Sequence, residues 1–163
     1  MARSIEVPTA GYAFAQAPDT LTTIGVGSCL AICLYVPERK AGALIHCMLP
    51  RAGQHVSNPS VYVDTALNAV LEQFLQADIQ PKSLIAKLVG GAEMFPEVPQ
   101  TQTGDMGSIG KRNVEEATRL LEIVKIPVAS KCVGGHHGRS LLFNLESGSI
   151  SISTVSETVL QTI

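Results

Sequence analysis

The residues best suited to chemistry are a cysteine and a histidine seventeen positions apart. Cys29 ends the run Gly25-Val26-Gly27-Ser28-Cys29, and His46 lies in the apolar segment 42–49. Two glycines before a cysteine at the end of a strand predict a tight turn, because glycine adopts positive φ and lets backbone N–H groups approach a ligand. A thiol there, with an imidazole to take its proton, is a nucleophile for acyl transfer. Backbone N–H groups around Gly27 and Ser28 would then stabilise the oxyanion.

A β-hairpin is the element that would bring Cys29 and His46 together. Segments 30–36 and 42–49 read as strands, with residues 37–41 as their connection. A pairing centred inside that connection would place Cys29 and His46 opposite each other or nearly so, with Cβ atoms ~4.5–5.5 Å apart in a regular ladder. Two structural alternatives stay open: Cys29 as a small buried hydrophobe, and His46 as a core residue with satisfied hydrogen bonds. A register slip of one residue would turn the imidazole to the other face.

The remaining cysteines and histidines raise the alternative of a metal site. Cys33 and Cys47 accompany Cys29 and His46, but two cysteines four positions apart on a strand are spread by ~13 Å, which disfavours one tetrahedral zinc. Adjacent His46 and Cys47 should also point to opposite faces. His136 and His137 lie in a glycine-rich loop, where solvated side chains are usual, although substrate contact or metal capture stays open.

Strands outnumber helices in the pattern of apolar residues. Periodicity predicts helices over about 63–74, after Asn58-Pro59-Ser60, and over about 113–124. Residues 96–110 read as a mobile surface loop. The predicted fold class is α+β, a strand-rich mixed or antiparallel, β-sandwich-like core with helices packed outside, and residues 1–163 are expected to form a single domain. The predicted strands are 21–24, 30–36, 42–49, 84–89, 128–133, 140–145 and 149–154.

Composition excludes several classes of protein. The 163 residues are 45% hydrophobic and 16% charged, and 12 basic against 14 acidic residues give a net charge of −2. This balance argues against a protein that binds nucleic acid by neutralising phosphates. No apolar run approaches the ~20 residues of a membrane span, and the first residues lack a secretory signal. We therefore expect a cytoplasmic protein without membrane insertion, whose four cysteines are free thiols.

Several blocks of this chain, in the same order, resemble the CheD family of chemoreceptor glutamine deamidases, most strongly over residues 21–154. The family's catalytic Cys, His and Thr fall on Cys29, His46 and Thr23. The sequence departs from the family pattern at Ile45, Cys47, Glu93 and around Lys131-Cys132, which affects substrate fit more than chemistry. The matching blocks are Gly25-Val26-Gly27-Ser28-Cys29, His46-Cys47-Met48-Leu49-Pro50, Tyr62-Val63-Asp64-Thr65-Ala66, Gly90-Gly91-Ala92-Glu93-Met94-Phe95, Ile109-Gly110-Lys111-Arg112-Asn113, Gly134-Gly135, Gly138-Arg139 and Phe143-Asn144.

The resemblance implies hydrolysis of specific glutamine side chains to glutamate, with release of ammonia and without a cofactor. Its implied substrates are methyl-accepting chemotaxis receptors, and a CheC-type phosphatase is a second implied partner. Cys29 would form a thioester, His46 would transfer protons, and Thr23 would orient the imidazole through its hydroxyl or its backbone carbonyl. Two alternatives from other classes are a non-catalytic chemotaxis module that binds the phosphatase, and a thiol or zinc protein.

Overall fold

Two five-stranded sheets form most of the computed structural model, which describes residues 1–96, 108–154 and 157–163. The first sheet has the order β1-β3-β8-β9-β10 and the second the order β2-β5-β4-β6-β7. The strands described are β1 (Ser4–Glu6), β2 (Gly11–Gln16), β3 (Thr20–Val26), β4 (Leu30–Val36), β5 (Ala41–Cys47), β6 (Ile85–Gly90), β7 (Val128–Val133), β8 (Arg139–Asn144), β9 (Ile150–Thr154) and β10 (Glu157–Thr162).

Both sheets are mixed. The β1–β3 and β6–β7 pairs are parallel, and the other neighbouring strands are antiparallel. Strand β4 is the central strand of the second sheet, and all seven of its residues are buried. A strand buried on both faces has no need of polar alternation, which explains its continuous apolar sequence.

One apolar cluster lies between the two sheets and joins them. Its buried side chains come from alternate positions of β4 and from facing strands of the first sheet, as the pleat of a strand requires. Tyr35 and Phe143 pack edge to face across it, with ring centroids 5.8 Å apart. The buried members are Val7, Leu21, Val26, Ala31, Cys33, Tyr35, Leu44, Val89, Leu141, Phe143, Leu145, Ile150 and Ile152.

Two helices, α1 (Val63–Gln76) and α2 (Ile109–Ile123), cover the outer face of the second sheet. A 3₁₀ turn over Pro59–Val61, capped by the Asn58 side chain on the Ser60 N–H, leads into α1. Asp64 in the first turn of α1 complements the positive end of the helix dipole. The buried face of α1 packs against strand residues such as Ile32 and Leu34. The fold therefore has three layers, in the order helices, second sheet and first sheet.

The predicted fold class is confirmed, since the chain is strand-rich and α+β, with helices outside two packed sheets. All seven predicted strands and both helices are present, with β4 matching its predicted bounds. The prediction missed β1, β2 and β10, and α2 begins four residues earlier than expected. Of the predicted loop 96–110, residues 97–107 lie outside the described residues, and its last two belong to α2.

A membrane-spanning helix requires a long apolar run, and neither α1 nor α2 nor any other helix among the described residues has the necessary length and apolar character.

Candidate active site

Cys29 lies in a short turn between β3 and β4, formed by residues 27–29 and called the cysteine turn below. Gly25, in β3 just before it, has a φ of +68°, a conformation that glycine adopts without strain. Gly27 leaves room for a neighbour, because a Cβ there would lie 3.2 Å from the Met94 sulfur. Cys29 itself is half-buried. The predicted tight turn before the cysteine is therefore present.

Three successive backbone carbonyl groups of the cysteine turn accept hydrogen bonds from neighbouring segments, which fixes the turn in place. The Gly27 carbonyl accepts the Ala92 N–H at 2.9 Å, and the Cys29 carbonyl accepts the Gly91 N–H at 2.7 Å. Between them, the Ser28 carbonyl accepts the Asn113 side-chain amide at 2.9 Å. A trans peptide is planar, with its N–H opposite its carbonyl. The Ser28 N–H therefore points away from Ala92, and the Cys29 N–H points away from Asn113.

The hairpin pairing differs from the prediction by two residues. His46 is opposite Ala31, and Leu30 is opposite Cys47, so Cys29 is not directly opposite His46. A shift of two residues preserves the face to which side chains point, whereas a shift of one would reverse it. Cys29 packs against the cluster between the sheets, the side toward which His46 also projects. The predicted register is wrong, and the predicted face is correct.

A chain of two hydrogen bonds orients His46. The Thr23 hydroxyl lies 2.7 Å from the Val7 carbonyl and 2.8 Å from His46 Nδ1. A carbonyl only accepts, so the single hydroxyl proton must be donated to Val7. Thr23 then accepts a hydrogen bond from Nδ1–H, and the unprotonated nitrogen of the neutral ring is Nε2. The contact runs through the Thr23 hydroxyl, one of the two atoms proposed from the sequence.

The second ring nitrogen of His46 is left without a partner. The side chain is fully buried, and Nε2 has no hydrogen-bond partner among the described residues. Burial lowers the pKa of His46, so its neutral form dominates at neutral pH. An unpaired acceptor in the interior is costly and calls for an explanation. The arrangement leaves Nε2 as a nitrogen that is able to accept a proton.

The thiol of Cys29 is neutral in the unbound protein. Burial raises its pKa, and its own backbone N–H opposes that effect less strongly. The pairing of Cys29 with His46 inferred from the sequence would favour a thiolate, whereas burial in the unbound protein acts in the opposite direction. The thiol of Cys29 and the imidazole of His46 are therefore both uncharged at neutral pH.

The other cysteines do not join Cys29 in a metal site. Cys33 and Cys47 are fully buried in different clusters, on opposite faces of the second sheet. Burial raises the pKa of both thiols. Within residues 1–96, 108–154 and 157–163, no group of three or more histidine, cysteine or acidic side chains is placed to hold a metal ion. Cys132 is half-buried, and its sulfur lies 3.5 Å from Gln161 Oε1.

Thiol labelling should separate these cysteines. In a brief reaction of native protein with iodoacetamide near neutral pH, we expect label on Cys29 and Cys132 and none on Cys33 or Cys47, because burial blocks access and disfavours the thiolate. The rate at Cys29 should rise with pH, since its thiol is protonated at pH 7. Peptide mapping measures both, with unfolded protein labelled at all four cysteines as the control. Label on Cys33 or Cys47 with Cys29 untouched would contradict this assignment.

The two loop histidines take no part in the Thr23–His46 hydrogen bonds. His136 Nδ1 lies 3.1 Å from the Glu93 carbonyl, and both His136 and His137 are exposed. The preceding Gly134 and Gly135 have φ values of +79° and +71°, which explains why glycine suits these positions. The loop also contacts the strand end behind the cysteine turn, since the Gly134 N–H donates to the Gly90 carbonyl.

Sequence reasoning missed Val7 and Asn113. Val7 acts through its backbone carbonyl, which no sequence pattern reveals. Asn113 had a signal: it precedes Ala117 by four residues and Leu121 by eight, so it lies on the apolar stripe of α2. A polar side chain on a buried helix face needs a specific partner. The structure shows two, the carbonyls of Ser28 and Met48.

The fold and the site together describe a class of protein: two packed mixed sheets with a half-buried thiol and an oriented, neutral imidazole. Residues 48–154 match the family described as CheD chemotactic sensory transduction. A protein of Geobacillus kaustophilus named probable chemoreceptor glutamine deamidase CheD is 37% identical over 161 residues, covering 97% of this chain and 96% of the relative. This chain belongs to the CheD family.

Two further relatives are similar over almost their full length. One is a protein of Pyrococcus abyssi that is also named probable chemoreceptor glutamine deamidase CheD. It is 36% identical, and the match covers 95% of this chain and 94% of the relative. The chemoreceptor glutamine deamidase CheD of Bacillus licheniformis is 35% identical, and the match covers 95% of this chain and 92% of the relative. The similarity therefore extends over nearly the whole of each chain.

Proposed function

We propose that this protein hydrolyses the side-chain amides of specific glutamines in methyl-accepting chemotaxis receptors, giving glutamate and ammonia. Membership of the family and the names of its relatives support the reaction and the class of substrate. One observation carries the mechanism: the Thr23 and Val7 contacts leave His46 Nε2 as the free base of a buried neutral ring.

The first half of the proposed reaction forms a thioester. Cys29 Sγ attacks the carbon of the glutamine amide while His46 Nε2 takes the thiol proton. The amide oxygen becomes an oxyanion, and backbone N–H groups of the cysteine turn stabilise it. The imidazolium then protonates the leaving nitrogen, the carbon–nitrogen bond breaks, and ammonia departs.

The second half of the reaction hydrolyses the thioester. His46 takes a proton from water as the oxygen attacks the thioester carbon. The tetrahedral intermediate collapses, the carbon–sulfur bond breaks, and the proton returns from the imidazolium to Cys29. Glutamate replaces glutamine in the receptor, and both side chains recover their starting forms. Thr23 accepts from Nδ1–H throughout and stabilises the imidazolium formed in each half.

The oxyanion role is best assigned to the N–H groups of Ser28 and Cys29. The N–H of Gly27, proposed from the sequence, already donates to the Gly25 carbonyl at 3.2 Å. Gly27 instead contributes the space that the Met94 side chain fills. The Ser28 side chain is half-buried beside the nucleophile and is proposed to contact the substrate.

Mass spectrometry tests the proposed function. Purified protein incubated with the cytoplasmic fragment of a chemoreceptor should raise the mass of single glutamine-containing peptides by about 1 Da, with equimolar ammonia, since an acid replaces an amide. Fragment incubated alone is the control. A fragment of unchanged mass would contradict the function. The second predicted partner, a CheC-type phosphatase, is tested by a binding measurement between the two purified proteins.

Substitution of Thr23 should separate orientation from proton transfer. Thr23→Val keeps the shape but leaves the Nδ1–H buried without an acceptor, at a cost of about 1–3 kcal/mol. We expect kcat to fall about 10- to 100-fold, since 1.4 kcal/mol is a factor of 10. Thr23→Ser keeps the hydroxyl and should retain most activity. Steady-state kinetics on receptor fragment decide this, and equal losses in both variants would assign the role to shape instead.

A further inference from the structure

Asn113 connects α2 to both halves of the proposed site. Its side chain is fully buried in the first turns of the helix. The amide nitrogen donates to the Ser28 carbonyl at 2.9 Å and to the Met48 carbonyl at 3.0 Å. Ser28 precedes the proposed nucleophile, and Met48 follows the proposed base by two residues. Carbonyls only accept, so the nitrogen is the atom that must face both.

The bond to Ser28 controls the orientation of one particular peptide group. The Ser28 carbonyl and the Cys29 N–H belong to the same planar unit and point in opposite directions. Because Asn113 holds the carbonyl toward α2, the N–H is directed away from the helix.

The side chain of Asn113 is only partly satisfied, which argues against a purely structural role. Its Oδ1 is buried and has no hydrogen-bond partner among the described residues. An apolar residue would fill this place on the buried stripe of α2 without that cost. The two hydrogen bonds donated by its amide nitrogen are what an apolar residue at this position could not form.

The start of α2 packs closely against the segment that binds the cysteine turn, which fixes the position of Asn113 relative to Ser28. A Cβ on Gly110 would lie 2.3 Å from the Ala92 carbonyl oxygen, so only glycine permits the approach. Ala92 in turn donates to the Gly27 carbonyl. On the other side, Glu116 of the same helix accepts hydrogen bonds from Arg51, three residues beyond Met48, and from Arg119.

We propose that Asn113 is a positioning residue, which fixes the Ser28–Cys29 peptide so that the Cys29 N–H receives the oxyanion of the deamidation reaction. This inference rests on the proposed function and adds a residue to it. Loss of one oxyanion donor typically costs about 10²–10³ in kcat. The contribution should appear in kcat rather than in KM, because the negative charge develops only in the transition state.

The experiment compares Asn113→Ala and Asn113→Leu with Leu121→Ala. Leu121 lies on the same helix and is fully buried, but its apolar side chain cannot donate to the carbonyls of Ser28 and Met48, so its variant controls for loss of α2 packing. We expect kcat for receptor fragment to fall about 100-fold in both Asn113 variants, with KM changed less than about threefold. Leu121→Ala should keep kcat near the wild-type value.

Alkylation supplies a second measurement. Iodoacetamide reacts without an oxyanion, so the labelling rate at Cys29 should stay within about threefold of wild type in the Asn113 variants. Wild-type kcat in either variant would overturn the inference. Unfolding of both, or parallel losses of kcat and of Cys29 labelling, would show a structural role and also overturn it. Absence of deamidation by the wild-type protein would instead refute the proposed function.

Discussion

Replacement of Cys29 by alanine or serine should abolish deamidation of a receptor fragment. Loss of the nucleophile in a Cys–His site is expected to lower kcat about 10⁴-fold or more, because no other group forms the covalent intermediate. Serine is the sharper variant, since it keeps nearly the same shape while its hydroxyl is much harder to deprotonate. Glutamine-to-glutamate conversion, followed by mass spectrometry, measures the effect.

Cys132→Ala is the matched control for the Cys29 variants. Cys132 is also a half-buried free thiol, but it lies on β7, apart from the Thr23–His46 pair. Its variant should retain activity within about twofold, as expected for a side chain outside the reaction. Activity that survives in Cys29→Ala, or disappears in Cys132→Ala, would show that Cys29 is not the nucleophile.

Replacement of His46 by glutamine should cost about 10³-fold or more in kcat, because the same ring transfers a proton in both halves of the reaction. Glutamine is polar and of moderate size but has no basic nitrogen. Because the ring also donates from Nδ1 to Thr23, its loss should lower the stability by about 1–3 kcal/mol, which is less than the loss expected in the activation free energy. Kinetics and thermal unfolding of the same preparation test both expectations.

The pH profile of the wild-type enzyme provides an independent check on His46. Burial lowers the pKa of His46, so activity should persist as the pH falls below the ordinary imidazole pKa of about 6.5. The acid limb of kcat/KM reports the free enzyme's base and should have its midpoint below that value. A midpoint above 6.5 would show a charged, stabilised imidazolium in the free enzyme and contradict the buried neutral base.

Local patterns were sufficient for most of the fold. Strand β4 was predicted with its bounds because its apolar run ends at Pro37, and α1 because five apolar residues share one face. Strand β1 was missed because three residues carry no pattern. Strand β2 alternates alanines with two aromatics, and β5 is its one neighbour among the strands of the described residues, so its stability depends on a tertiary contact.

The details of the site depended on contacts that local patterns do not contain. Side chains alternate between the two faces of a strand, so the sequence predicts the face to which His46 points but does not distinguish registers that differ by two residues. The register is set by the connecting turn, in which Lys40 adopts a left-handed conformation. Glu116 of α2 is a charged residue and yet is buried, where it pairs with Arg51 from a loop distant in sequence. The Val7 carbonyl that sets the tautomer of His46 also comes from a different part of the sequence.

The central claim is that Cys29 bonds covalently to the receptor glutamine during turnover. Its most direct test is a single-turnover reaction with the protein in excess over receptor fragment, quenched in acid and measured by intact mass and peptide mapping. We predict a transient species equal to the two masses less about 17 Da for ammonia, with the linkage on Cys29. Glutamate formation with the linkage on another residue, or by protein fully alkylated at Cys29, would contradict the account.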